Sequence, residues 1–268
     1  MKIGFLQLRS KFGEVRDNVR AAQSLLKNVS DATIVLPELF NTGYLFRSQD
    51  ELAHLAETAT GFTVTEMKKV AKHQSLNIVF GMAEKNGRRY YNSAVLVTAQ
   101  GRTCVYRKTH LFDREKLFFS PGDKGYAVHR VEGARIGLMV CFDWAFPEVA
   151  RVLALQGAQI ICHPANFVLP YGQDAMKTRA IENRVFTVTA NRIGGEKRGN
   201  LSISFTGSSQ IVDPKGNVLA DAGDRSESLK IVEIQVEAAD DKSITANNDL
   251  FKDRKVAFYK PLVRKTSS

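Results

Sequence analysis

Two hydrophobic periodicities alternate along the chain. Lys2 to Leu8 (KIGFLQL) is a short apolar run of strand character, and from about Val15 to Leu26 the apolar positions recur at helical spacing. Ala32 to Leu36 (ATIVL) is again a buried-strand run, closing on Pro37 and Glu38, so the unit reads β-α-β with a carboxylate at the C-terminal end of its second strand. Thr63 to Gln74 has a helical pattern and Asn77 to Glu84 a strand pattern. Tyr91 to Thr98 and Thr103 to Arg107 form strands joined by an AQG turn, a hairpin that puts Lys108 just past its second strand. An apolar run over 136–140 gives way at Cys141 to PEVARVLALQG, helical in spacing, with Pro147 in the first turn and Gly157 as the stop. Ala158 to Asn166 is the next strand, Gly172 to Arg184 a helix and Val185 to Ala190 a strand. A Gly-containing loop, a hairpin around DPKG (Ser208 to Ala220) and a strand from Leu229 to Val236 follow.

The pattern repeats itself. RIGLMVC (135–141) matches KIGFLQL, the helix after Pro147 matches the first helix, and AQIICHPAN (158–166) matches ATIVLPELF. Glu38 and Ala165–Asn166 then hold related places in two similar half-sheets that face one another. The hairpins exclude a purely parallel sheet, so a layered α/β fold with mixed sheets is expected. With 268 residues and 44% hydrophobic content, the chain can bury a substantial core and is expected to form one domain, 1–268.

Charge and cysteine content narrow the function classes. The 38 basic against 28 acidic residues give a net charge of +10, but the basic residues are scattered over helical faces. They crowd together only after Phe251, at Lys252, Arg254, Lys255, Lys260, Arg264 and Lys265, so no nucleic-acid partner is expected. Three widely spaced cysteines without a CxxC argue against a disulfide framework and a sulfur-based zinc site. No apolar leader follows Met1 and no run is long enough to span a bilayer, which leads to the expectation of a soluble cytoplasmic protein without a membrane partner.

The candidate chemistry lies at strand ends. Cys141 sits on a strand-to-helix turn, a geometry that lifts a side chain from the sheet edge and aims backbone N–H groups at whatever docks there. Glu38 and Lys108 each end a strand at the same kind of edge, where layered α/β proteins place their sites. Together they supply a base, a cation and a nucleophile. A Cys-His arrangement would instead need His110 or His163 beside Cys141, and a binding-only protein would have no physical reason to keep all three groups.

LPELFNTGY, YRKTHLF and VCFDWAFPE, which carry Glu38, Lys108 and Cys141, resemble the motifs of the nitrilase or carbon-nitrogen hydrolase family. Glu115 seven residues after the lysine, PAN at 164–166, RAIENRVFTVTANRIG and FTGSSQIVDPKGNVLA extend the resemblance over nearly the whole chain. It implies a four-layer αββα sandwich and a metal-free, cofactor-free hydrolase of non-peptide carbon–nitrogen bonds, with Glu38, Lys108 and Cys141 as catalytic triad. It further implies Glu115 as a second glutamate that positions substrate or Lys108. Phe142 N–H and Lys108 would form the oxyanion hole, the lysine also favouring the Cys141 thiolate. Trp144, Asn166 and Tyr44 are the candidate substrate-binding residues. Asp143, two residues past the nucleophile, leans the reading towards amides, with nitriles as the alternative and N-carbamoyl compounds a further one. CFDW, HPAN and NDLFKDR also resemble small thermophilic members called nitrilases. The family further implies a homodimer or higher homo-oligomer in which the aromatic-studded tail, 240–268, docks on a partner subunit.

Overall fold

The computed structural model describes residues 1–264. The end of the tail, including Lys265, lies outside the described residues. In chain order the elements are β1 (Lys2–Gln7), α1 (Val15–Leu26), β2 (Thr33–Val35), α2 (Gln49–Leu55), α3 (Phe62–His73), β3 (Asn77–Asn86), β4 (Arg89–Val97) and β5 (Thr103–Arg107). There follow β6 (Val128–Val131), β7 (Ala134–Leu138), α4 (Pro147–Leu155), β8 (Ile160–Ala165), α5 (Gly172–Asn183), β9 (Phe186–Asn191), β10 (Ile193–Arg198) and β11 (Leu201–Thr206). The chain continues with β12 (Gln210–Val212), β13 (Val218–Asp221), β14 (Ser228–Glu233), β15 (Ser243–Thr245) and β16 (Asn248–Asp249).

Two six-stranded sheets form the frame, ordered β14-β1-β2-β3-β4-β5 and β6-β7-β8-β9-β12-β13. Each has three parallel strands in its middle, one antiparallel neighbour on one side and an antiparallel pair on the other. β1 and β7 therefore hold the same place, as do β2 and β8, which is the repeat read from KIGFLQL and RIGLMVC. Even the register agrees: Gly4 pairs with Ile34 where Gly137 pairs with Ile161. Gly137 also lets α4 close on its sheet, since a Cβ there would stand 3.0 Å from Leu153.

Strand alternation explains the layers. Ile3, Phe5, Val35, Val79, Ala94 and Leu96 pack with Ile136, Leu138, Ile160, Cys162 and Val188 of the second sheet. Their neighbours Ile34, Leu36, Ile78, Phe80, Val95 and Val97 face the other way, onto Val19, Ala22 and Leu26 of α1 and Val64, Met67 and Ala71 of α3. Each such fully buried aliphatic or aromatic side chain contributes about 1.5–3 kcal/mol through removal from water. With α4 and α5 packed against the second sheet, the architecture is an αββα sandwich.

Some elements add to the sequence expectation. α2, β6 and the β15–β16 hairpin fall where no element is expected, and the β10–β11 hairpin falls in the Gly-containing loop. Residues 193–200 are rich in glycine and charged positions and hide the first strand of the hairpin, although LSISFT after them does alternate, while α2 is a short helix begun by Ser48, whose hydroxyl accepts the Glu51 N–H at 3.2 Å. The tail also differs in part. Residues 240–254 fold back on their own body: Lys242 Nζ donates to the carbonyls of Asn183 (3.0 Å) and Arg184 (2.9 Å), and Phe251 lies under the Arg151 guanidinium at 5.3 Å. The last 3-10 segment, Val256–Val263, presents apolar side chains outward, with Phe258 79% and Val263 88% exposed. No helix of the described residues is long and apolar enough to cross a membrane.

Candidate active site

Four strand ends converge where the two sheets meet. Glu38 follows β2, Lys108 follows β5, Cys141 follows β7 and Asn166 follows β8, and all four residues are buried. Lys108 Nζ donates to Glu38 Oε1 at 2.7 Å and to Glu115 Oε1 at 2.8 Å. Asn92 Nδ2, from β4, donates to the same Glu38 Oε1 at 2.7 Å, and Asn166 Nδ2 donates to the Glu38 backbone carbonyl at 3.0 Å. That leaves Glu38 Oε2 and Asn166 Oδ1 as buried acceptors without a partner among the described residues.

The backbone around these groups is tightly constrained. Lys108 N–H donates to the Asn92 carbonyl and the Lys108 carbonyl accepts from Gly122 N–H, both at 2.8 Å. The preceding Arg107 forks onto both oxygens of Glu84, at 2.7 and 3.0 Å, and reaches Asp123 at 3.0 Å, which pins the end of β5. Gly81 of β3 runs so close behind Glu38 that a Cβ there would lie 2.4 Å from Glu38 Cα.

Cys141 begins a 3-10 turn, Cys141–Ala145, and adopts φ +40°, a left-handed conformation that an L-residue holds only under constraint from its surroundings. Two neighbours supply that constraint. His163 Nε2 meets the Cys141 carbonyl at 3.0 Å while its Nδ1 meets Thr189 Oγ1 at 3.2 Å, so Nε2 carries the proton and donates. Asp143, fully buried, accepts from Val140 N–H (2.9 Å), Tyr106 OH (2.7 Å) and His110 N–H (3.2 Å), with His110 Nδ1 at 2.8 Å. The aspartate on which the amide preference leaned is therefore a brace inside the turn, and bears on substrate only through the backbone it holds. Neither histidine is hydrogen-bonded to the thiol: one holds the nucleophile's carbonyl and the other the brace. The first hydrogen bond of the turn runs from Asp143 N–H to Val140 O, which leaves the Phe142 N–H outside the turn's own pattern.

Opposing influences act on the Cys141 thiol. Burial pushes it well above the usual range and the charge of Glu38 adds to this, while Lys108 favours the thiolate but only partly offsets them. Burial also works against the charge of Lys108, yet Glu115 and Glu38 together hold it protonated. Glu115 is raised to about 7 by burial against the pull of Lys108.

Beside Cys141 lies a narrow cavity of about 10 Å³ whose wall includes Phe142, Trp144 and Asn166. Trp144 and Asn166 line this cavity, whereas Tyr44 does not: its hydroxyl donates to Glu115 Oε1 at 2.8 Å. Sequence reasoning missed Asn92, whose signal was a lone amide inside the strand YYNSAVLV, a group that must find a partner when buried. It also missed the wall residues Phe112, Phe167, Val168 and Leu169.

Comparison with known proteins gives a consistent result. The family model described as carbon-nitrogen hydrolase matches residues 2–242. The chain is 44% identical over 263 residues to a protein of Pyrococcus abyssi named nitrilase, covering 97% of this chain and 99% of that one. It is 35% identical to an (R)-stereoselective amidase of a Pseudomonas species, over 96% of this chain and 92% of the relative. The crystal structure of a carbon-nitrogen hydrolase from Helicobacter pylori superposes with a TM-score of 0.87 at 26% identity, over 99% of both chains.

Proposed function

The chain belongs to the carbon-nitrogen hydrolase family and is a hydrolase, and we propose that within it the protein cleaves a small-molecule amide to a carboxylic acid and ammonia through a cysteine thioester. Cys141 Sγ attacks the carbonyl carbon as its proton passes to Glu38 Oε2, which matches a nucleophile that rests as a thiol beside an unpartnered carboxylate oxygen. Lys108 Nζ and the Phe142 N–H hold the developing oxyanion. Glu38 returns the proton to the nitrogen, the C–N bond breaks, ammonia departs and the acyl group remains on sulfur. Water then attacks the thioester, Glu38 takes its proton, and the acid leaves as the thiol re-forms. Glu115, held by Tyr44, keeps Lys108 aimed.

The observation that favours an amide is Asn166 Oδ1. Because Nδ2 donates to the Glu38 carbonyl, the oxygen is a buried acceptor with no donor among the described residues, on a residue that lines the cavity. An amide nitrogen brings N–H groups to it and a nitrile nitrogen brings none, and a buried acceptor left unpaired costs about 1–3 kcal/mol. Hydrolysis of nitriles through a thioimidate is the second reading, supported by the identity to the Pyrococcus protein. Paired kinetics on one acyl group bearing an amide or a nitrile end, following ammonia and acid, should give the amide the higher kcat/KM. The nitrile winning across several acyl groups would exchange the two readings. We also propose a homodimer that covers the exposed apolar face of Val256–Val263.

A further inference from the structure

The cavity at the nucleophile has an uneven chemistry. Its polar lining consists of Cys141 and Asn166, the groups at the reacting end. The other side chains are hydrocarbon apart from the Trp144 indole N–H: Phe112, Phe142, Trp144, Phe167, Val168 and Leu169. Among the described residues no Lys, Arg, Asp or Glu lines it, and Lys108 is shared between Glu38 and Glu115.

The wall is also fixed. Phe142 packs against Phe112 at 5.0 Å and edge-on against Trp144 at 6.4 Å, and Trp144 meets Tyr171 at 5.6 Å. Arg179, which is paired with Glu182, donates to the Trp144 carbonyl from Nε and Nη2 at 3.2 and 3.1 Å. On the other side, Phe167 N–H donates to Asn191 Oδ1 at 2.8 Å and the Phe167 carbonyl accepts from Thr206 N–H at 2.9 Å. Gly172 leaves room for the Phe167 ring, because a Cβ there would come within 2.9 Å of it.

We propose that the acyl groups this enzyme accepts are short, apolar and uncharged, and that Phe112, Trp144 and Leu169 select them against acyl chains ending in a carboxylate or an ammonium. An ionised end group entering the cavity would lose its water and find no counter-ion, a penalty that neither the thiol nor the amide of Asn166 relieves. Added length is limited as well: in a small rigid pocket each surplus methylene changes kcat/KM by about 10- to 200-fold. The inference rests on the carbon–nitrogen hydrolase reading of the site, and concerns the acyl end rather than the bond cleaved.

The test separates those two parts. Butanamide, glutaramate and 4-aminobutanamide, with the three matching nitriles, would be compared by ammonia release from the wild-type protein. The neutral member should exceed both charged members by about 100-fold or more in kcat/KM, on whichever end group reacts. If only the nitriles react but keep that acyl order, the amide reading fails and the acyl proposal stands. A charged member within tenfold of the neutral one overturns the acyl proposal, even if amides are the better substrates. Leu169→Arg, a change at a half-buried wall position, should raise the glutaramate rate relative to butanamide at least about tenfold by supplying the missing counter-ion. An unchanged ratio in a folded variant counts against Leu169 as a selecting residue.

Discussion

The side-chain amide of Asn166 donates to the backbone carbonyl of Glu38 at 3.0 Å, joining the end of β8 to the end of β2 across the two sheets. These are the matching strands of the two repeats, and Pro37-Glu38 in one corresponds to Pro164-Ala165 in the other. The repeats thus meet back to front at the site, while their chemistry has diverged: the position equivalent to Cys141 in the first repeat is Leu8. Symmetry built the frame, and differences at the strand ends built the cluster within it.

If Glu38, Lys108 and Cys141 act as one unit, Cys141→Ala, Glu38→Gln and Lys108→Ala should each nearly abolish turnover, and the Cys141→Ala, Lys108→Ala double variant should be little worse than either alone. Circular dichroism would report whether each is folded. Substantial ammonia release by a folded Cys141→Ala variant would sink the thioester mechanism.

Gly81→Ala should lower kcat by about 100-fold, because its Cβ would stand 2.4 Å from Glu38 Cα and must displace the base. Gly223→Ala, where nothing lies within 4 Å of the added methyl, serves as the control and should leave kcat unchanged. Equal rates in the two variants would show that the placement of Glu38 tolerates the shift.

Asp143→Asn replaces an all-acceptor brace by one that presents a donor to the N–H and O–H groups of Val140, Tyr106 and His110. Stability should fall by about 1–3 kcal/mol and kcat with it. The ratio of amide to nitrile activity should not move. A changed ratio with normal stability would return Asp143 to substrate selection.

Burial holds the His163 imidazole down, at about 4 rather than 6.5. Between those values the unfolded chain binds the proton and the folded one does not, so stability is fully present above pH 6.5 and is lost as pH falls through the window. Between pH 7 and pH 5 this group should account for a loss on the order of 2 kcal/mol. Denaturant unfolding of His163→Asn should show a flatter dependence over that range, and a slope identical to wild type would exclude His163 as its source.

Deleting residues 255–268 removes the exposed Val256, Phe258 and Leu262 while keeping the contacts of Lys242 and Phe251. If the proposed dimer forms through this face, sedimentation should show it weakened and melting a nearly unchanged body. A cut after Val236 would instead remove the buried Ala239 and should unfold the protein. A dimer of undiminished strength after the shorter deletion would move the interface elsewhere.

The layered fold and the strand ends that bear Glu38, Lys108 and Cys141 were legible in the sequence because each depends on local signals: an apolar run, its alternation, and the turn residues that end it. The repeat was legible because matching strands in matching places need similar residues. What tertiary structure alone decided are matters of side-chain direction and burial. Asn92 reaches Glu38 from 54 positions away, and Tyr44 reaches Glu115 from 71. The cavity wall is assembled from Phe112, Trp144 and Leu169 on three separate segments. Asp143 turns inward rather than toward the cavity because its carboxylate finds four donors there, and Cys141 rests protonated because burial outweighs the neighbouring ammonium. Sequence spacing carries no record of either balance, since each depends on how much water the folded chain excludes.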